Sequence, residues 1–325
     1  METQRPTSPA AEEILGGYFP ALDHGFVALV DYMGTDDDIE RAARVSYGYG
    51  TRKVSATRGL VRYLRRHRHT TPSEMVEFKF HCAMPMFVAR QWIRHRTASV
   101  NEYSGRYSLM PLLYYMPERD QFALQSAQNH QGRDADASDA VYEEAIERWR
   151  RMRHEASDGY TWMVGEDVAR EIARIDLPLS TYTQWYWKID LHNLLHFLSL
   201  RADPHAQWEI RVFAEIIGGM VKRVAPLSYE AWVDYDLVGQ SMSRGELTVL
   251  SQLLDSGEDG ITARAGASCR TEGLKAAGLS VREIRELVAK LQAPTQPDFE
   301  LDLSRMKSAE EVAKTMSEAV PGTTG

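Results

Sequence analysis

The chain has 325 residues, 43% of them hydrophobic, with a net charge of -8 and a pI near 5.7; this is enough apolar content for a sizeable core, and an acidic balance that argues against bulk attraction to nucleic acid or an anionic membrane. Two cysteines without a CxxC pair, Cys82 and Cys269, argue against a disulfide framework and point to a reducing cytoplasm. The amino terminus METQRPTSPAAEE lacks the apolar core of a signal peptide, and no apolar run approaches the roughly 20 residues of a membrane span. In chain order, residues 1–12, rich in Pro, Ser, Thr and Ala, are expected to be disordered. GFVALVDYM (25–33) predicts a first strand, and DDDIERAARVSYG (36–48) a helix whose acids precede its apolar positions.

LVRYLRRHRH (60–69) predicts a helix ending before Pro72, and VEFKFHCA (76–83) alternates as a half-buried strand does. PMFVARQWIRHR (85–96) predicts a helix with proline in its first turn, followed by a turn at SVNEYSG. Helices are expected over 137–156, 164–174, 190–201 and 205–224, with the β-prone aromatic segment STYTQWYWKI (180–189) among them. After about Tyr235 aromatics almost vanish, and SVREIRELVAKL (280–291) carries a capping box, Ser280 with Glu283. The expected fold is α+β, a mixed sheet flanked by helices over 13–239, with a helical appendage over 240–325 that ends in a disordered PGTTG.

Local charge departs from the overall balance. Between Leu60 and Arg106 nine basic residues face three acidic ones, a pattern that suits a small anion held in a cleft better than a long polyanion. RHRTASVNEYSGRYS (94–108) concentrates three arginines, one histidine and one glutamate among small polar residues. Arginine recognises phosphate and carboxylate with a planar fork, so this stretch points to a phosphorylated small molecule. Further on, IDLHNLLHFLSLRADPHAQWE (189–209) predicts a helix with Leu191, Leu194, Leu195 and Leu198 on its apolar face. Asp190, Asn193, Phe197 and Arg201 fall on a second face, and His192 and His196 form an i, i+4 pair. Zinc is disfavoured because neither HExxH nor a cysteine-rich set accompanies His67/His69 or His192/His196. Gly48 and Gly50 lack the third glycine of GxGxxG. Cys82 sits in the alternating strand as a core residue, and the aromatics of 182–187 are expected in the core.

RHRTASVNEYS with the overlapping NEYSGRYS resembles the RHRxxxxxxxS signature of flavin-dependent thymidylate synthases. AARVS (42–46), HTTPSE (69–74), FVARQW (87–92), ARIDLP (173–178) and LRADPHAQWEI (200–210) extend the resemblance across residues 25–235. It implies methylation of dUMP to dTMP with methylene-tetrahydrofolate as carbon donor, FAD as hydride carrier and NADPH as reductant, in a homotetramer with shared active sites. It further implies a nucleotide site of Gln91, Trp92, Ile93, Arg94, Glu102, Tyr103, Ser104, Gly105, Arg106, Arg174 and Arg201, with Arg106 and Arg174 for the phosphate and Arg201 facing the pyrimidine. FAD contacts are implied at Thr71, Arg94, His95, Arg96, Glu102, Asp190, Leu191, His192 and His196, with Ser46, His69, Glu74 and His205 as further wall residues. Asp190 stands where some members of the family it resembles carry Asn, and His192 where Arg is common. The competing reading is a nucleic-acid-binding module that uses Arg62–Arg106 on phosphates.

Overall fold

The computed structural model describes residues 5–45, 57–126, 133–257, 260–264, 271–292 and 297–321; Ser46, Gly48, Gly50, Cys269 and the PGTTG end past Pro321 lie outside them. Contacts divide the chain into two units, Met1–Ala231 with Asp298–Gly325, and Trp232–Pro297. Among the described residues no helix is long and apolar enough to cross a membrane.

The first unit is built on a five-stranded antiparallel sheet of β1 (Tyr18–Ala21), β2 (Gly25–Met33), β3 (Glu77–Pro85), β4 (Ser99–Glu102) and β7 (Tyr182–Asp190), in the order β1-β2-β3-β7-β4. A separate ribbon pairs β5 (Ala123–Gln125) with β6 (Arg133–Asp136). The β1–β2 hairpin turns through Leu22 at φ 57. It closes on Gly25, where a Cβ would lie 2.6 Å from the Ala83 carbonyl oxygen. Alternation buries Phe78, Phe80 and Cys82 of β3, while Glu77, Lys79 and His81 face the other way.

The helices of this unit are α1 (Pro9–Glu12), α2 (Asp36–Val45), α3 (Thr57–Arg66), α4 (Met86–Trp92), α5 (Asp139–Gly165), α6 (Arg170–Ala173), α7 (Leu191–Arg201), α8 (Trp208–Val224), α9 (Pro226–Trp232) and the C-terminal α13 (Ala309–Glu318). The core is aromatic. The Trp92 indole stacks on Phe197 at 5.0 Å and meets Trp185, Trp187 and Phe213 edge-on at 5.5, 5.1 and 5.8 Å, joining α4, β7, α7 and α8. The carboxylate of Asp36, buried at the head of α2, accepts from the Leu227 and Ser228 amides and the Ser228 hydroxyl, tying α2 to α9.

The α+β class expected from sequence is the one found, and several boundaries differ. SVNE is strand β4 rather than a turn, paired along β7 from Ser99↔Lys188 to Glu102↔Trp185. The helix expected to reach Arg96 stops at Trp92, and that expected over 164–174 is a single turn, because Asp167 at φ 58 separates it from α5. Pro9–Glu12 form a helical turn inside the stretch expected to be disordered, and the Ser8 amide donates to the Tyr32 hydroxyl at 2.9 Å. Residues 298–321 pack on the first unit. Tyr18 and Lys307 form a β-bridge, and the Leu112 amide donates to the Ala319 carbonyl at 2.9 Å.

The second unit holds α10 (Arg244–Leu253), the hairpin β8 (Leu254–Gly257) and β9 (Gly260–Ala263), α11 (Thr271–Ala276) and α12 (Val281–Lys290). Its small core is Val249, Leu274, Leu279, Ile284 and Leu287. The Ser280–Glu283 capping box is present, and a second one, Ser243–Glu246, starts α10.

Candidate active site

Two elements bring remote polar groups together. α4 ends on the buried Trp92, and the following turn carries Ile93, Arg94 and His95 outward, with the His95 amide donating to the Trp92 carbonyl at 3.0 Å. α7 is fixed at its start by Asp190, whose Oδ1 accepts from the Asn193 amide at 3.0 Å and whose Oδ2 accepts from the Asn193 side chain at 2.7 Å. With Leu191, Leu194, Leu195 and Leu198 buried, the helix turns His196 and Arg201 toward the α4 turn. Phe197, placed on the polar face by spacing, is fully buried in the tryptophan cluster.

The Arg201 Nε donates to His95 Nε2 at 3.1 Å, and the His95 ring lies 6.2 Å from His196 and 4.9 Å from Phe197. Burial first, then the Arg201 and His196 charges, push the His95 pKa down to about 4. The ring is therefore neutral near pH 7 and carries its proton on Nδ1. Partial burial also lowers the pKa of Arg201, which stays protonated because guanidinium starts far above neutrality.

A cleft of about 630 Å³ opens beside this contact, lined by Arg90, Gln91, Arg94, Ser199, Arg201 and Gln207 among others. Three residues of the expected nucleotide site, Gln91, Arg94 and Arg201, thus share one cavity with His205, whose Nδ1 lies 2.9 Å from Asp203. A second group gathers at the end of β4. A Cβ on Gly105 would sit 2.6 Å from Met110 Sδ and 3.1 Å from Arg174 Cδ. The exposed Arg106 guanidinium lies 5.5 Å from the Tyr107 ring. Arg106 and Arg174 are not among the residues lining the Arg201 cleft.

Between the groups, Glu102 accepts from the Thr183 hydroxyl at 2.8 Å, the Tyr103 amide donates to Gln184 at 2.8 Å, and Ser104 Oγ accepts from the Arg106 amide at 3.4 Å. Thr71, Arg96 and His196 are exposed, and Ile93 is 41% exposed. The side chains of Trp92 and Leu191 are in the core, so neither can face a ligand. Of the further wall residues, His69 stacks on Tyr63 at 5.9 Å, and Glu74 accepts from the Thr70 hydroxyl at 3.2 Å. His192 Nδ1 is a buried polar atom without a hydrogen-bond partner, the kind of group a bound polar ligand would satisfy. Among the described residues no group of three His, Cys, Asp or Glu is placed to hold a metal ion. Cys82 is fully buried, and burial raises its thiol pKa well above the usual value, so it is no nucleophile.

Sequence reasoning did not single out Gln207 or Glu209. Gln91 Nε2 donates to Gln207 Oε1, and Gln207 Nε2 donates to the buried Glu209 at 2.8 Å. Both lie in HAQWE, where the signal was two polar residues spaced i, i+2 immediately at a helix start.

The UMP/dUMP methylase PolB from Streptomyces cacaoi, bound with 5-Br UMP, superposes with a TM-score of 0.61 at 33% identity over 67% of this chain and 98% of that one. The sequence profile of the family described as Thymidylate synthase complementing protein matches residues 28–227. The flavin-dependent thymidylate synthase of Gluconobacter oxydans is 51% identical over 89% of this chain and 92% of its own length. That of Ruegeria pomeroyi is 47% identical over 87% and 91%. The chain belongs to this family, as an enzyme of the flavin-dependent thymidylate synthase type.

Proposed function

We propose that the enzyme converts dUMP to dTMP by reductive methylation, with methylene-tetrahydrofolate as carbon donor, FAD as hydride carrier and NADPH as reductant. The observation that carries this reading is the Arg201–His95 contact beside the cleft, which joins the RHR stretch to α7 in one cationic, half-buried wall. Its similarity to flavin-dependent thymidylate synthases and to the UMP/dUMP methylase PolB supports it. Bound flavin would supply the hydride, and the chemistry so read needs no protein thiolate on the pyrimidine.

The chain's own residues supply binding and charge. Arg201 is a fixed cation set to face negative charge developing on the pyrimidine, and Arg106 and Arg174 are assigned to the phosphate. Gln91, Arg94, Glu102, Tyr103, Ser104, Gly105 and the backbone of Trp92 and Ile93 complete the nucleotide site. Thr71, Arg94, His95, Arg96, Glu102, Asp190, His192 and His196, with the backbone of Leu191, would hold FAD, and the unpartnered His192 Nδ1 fits a ligand that brings a hydrogen bond. Because Arg106 and Arg174 are exposed away from the Arg201 cleft, the reading includes a homotetramer in which subunits share sites, in the cytoplasm.

A visible absorption spectrum is the first test: a yellow protein bleached by NADPH, forming dTMP only with dUMP and the folate present, is expected. Arg201→Lys keeps the charge and loses the planar fork, so dTMP formation should fall severely with FAD retained. A colourless chain that binds polynucleotide with strong salt dependence would overturn the reading in favour of a nucleic-acid-binding module.

A further inference from the structure

The basic stretch LVRYLRRHRH (60–69) is a motif that the Arg201 cleft does not use. Its first arginine is already paired: Arg62 holds Glu230 at 2.8 Å, together with Arg58. Arg66 and Arg68, at the end of α3, are exposed and have no carboxylate partner among the described residues. Arg68 also sits in the left-handed region at φ 57. Around it the His67 and His69 amides close the helix end on the carbonyls of Tyr63 and Leu64, at 3.0 and 2.9 Å. Glycine takes this helix-end conformation without strain. An arginine there costs backbone energy, and among the described residues no ion pair offsets that cost.

Beside these two cations lies a platform of rings. The exposed Tyr63 ring meets His67 at 4.5 Å and stacks on His69 at 5.9 Å with an interplanar angle of 12°. The platform flanks residues read as holding flavin. Thr71 opens the next turn, Thr71–Met75, and that turn is tied to the start of α7, where the Leu191 amide donates to the Val76 carbonyl at 2.7 Å. An exposed ring beside two guanidiniums suits an aromatic group that carries a chain of anions, and an open surface suits a chain of variable length.

We propose that the end of α3 binds the tail of the carbon donor, with Tyr63 against its p-aminobenzoyl ring and Arg66 and Arg68 pairing with the carboxylates of γ-linked glutamates beyond it. This rests on the reading of methylene-tetrahydrofolate as carbon donor, and adds to it a preference for the polyglutamate forms. Every further γ-linked glutamate brings one α-carboxylate, so a triglutamate presents two more than a monoglutamate, one for each arginine. An exposed arginine–carboxylate pair is worth about two- to fivefold in affinity.

The test is steady-state kinetics on the flavin-loaded full chain, with mono- and triglutamate methylene-tetrahydrofolate as the varied substrates. In the wild type, KM for the triglutamate should lie about fivefold or more below that for the monoglutamate at low salt, and the gap should narrow as salt screens the pairs. In Arg66→Gln with Arg68→Gly the two values should converge through a rise in the triglutamate KM, while KM for dUMP and for NADPH stays at the wild-type value. Arg68→Gly alone should lose part of the gap and keep a thermal midpoint at or above wild type, since glycine relieves the φ 57 backbone. A lower midpoint with the gap intact would make Arg68 a structural residue and overturn its role. Tyr63→Leu should raise KM for both forms by a similar factor, about threefold or more, because both carry the ring.

Equal KM for the two forms in the wild type, or a gap that survives the double arginine variant, overturns the proposal in an enzyme that still makes dTMP. A double variant whose only change is a raised KM for NADPH assigns the arginines to that nucleotide's phosphates and overturns it as well. A wild-type enzyme that makes no dTMP overturns the reading on which the proposal rests.

Discussion

His95 accepts a hydrogen bond from Arg201 only while its Nε2 carries a lone pair, so the contact depends on a neutral imidazole next to a permanent cation. Burial, then Arg201 and His196, bring the pKa from the usual 6.5 to about 4. The folded state therefore resists a proton that the unfolded chain accepts readily, and stability must rise with pH wherever the unfolded chain holds more protons. This contribution is complete above about pH 6.5 and is lost as pH falls toward about 4. Denaturant midpoints measured between those limits should fall with acid more steeply in the wild type than in His95→Gln, which cannot take up the proton. Parallel curves would show that His95 titrates freely. Cys82 illustrates the opposite case, a group whose burial removes it from chemistry altogether.

At the scale of elements, α7 carries the cleft wall and its position is set by its first residue. Asp190→Ala removes the acceptor of the Asn193 amide, which costs about 1 kcal/mol at a helix start. Asp190→Asn, itself a good cap, should lose only a fraction of that, and urea midpoints of the two variants distinguish a capping role from a charge effect. The same helix was legible in the sequence because its leucines recur at helical spacing, as β2, β3 and β7 were through apolar runs and alternation. β4 was not, because all four of its residues are exposed and its pairing is decided by the edge of β7, more than eighty positions away. The Gln207–Glu209 hydrogen bond was hidden for a related reason. Two polar residues at the start of the helix expected over 205–224 gave no sign that Arg133, from a distant ribbon, pairs with one of them. Trp92 shows the limit of position alone: it lies inside the motif, yet its indole belongs to the core.

Across the first unit as a whole, the chain from Asp298 onward forms a belt whose seat is a pair of glycines. Gly218 and Gly219 on α8 lie under Phe299 and Leu301, and Lys222 pairs with Asp298 and Glu300 on either side of Phe299. Sequence alone did not place this belt: PDFELDLSRM alternates polar and apolar from Asp298 to Leu303, but the surface its apolar residues cover lies some eighty residues earlier. Gly218→Ala sets two effects against each other. Alanine in a helix interior gains up to about 1 kcal/mol over glycine, but its Cβ would stand 2.7 Å from Phe299 Cδ2. Phe299 is packed between α8 and Tyr229, whose hydroxyl accepts its amide at 3.0 Å, so the ring cannot move without lifting the belt. The overlap should win, and trypsin should cut at Arg305 and Lys307 several times faster in Gly218→Ala than in the wild type. The double variant Gly218→Ala with Phe299→Ala removes the overlap and the anchor together. Its cleavage should stay fast while its helix regains the alanine propensity, visible as a thermal midpoint above that of Phe299→Ala alone. Equal cleavage of Gly218→Ala and wild type would mean that the Lys222 ion pairs and the Tyr18–Lys307 bridge hold the belt without the aromatic seat.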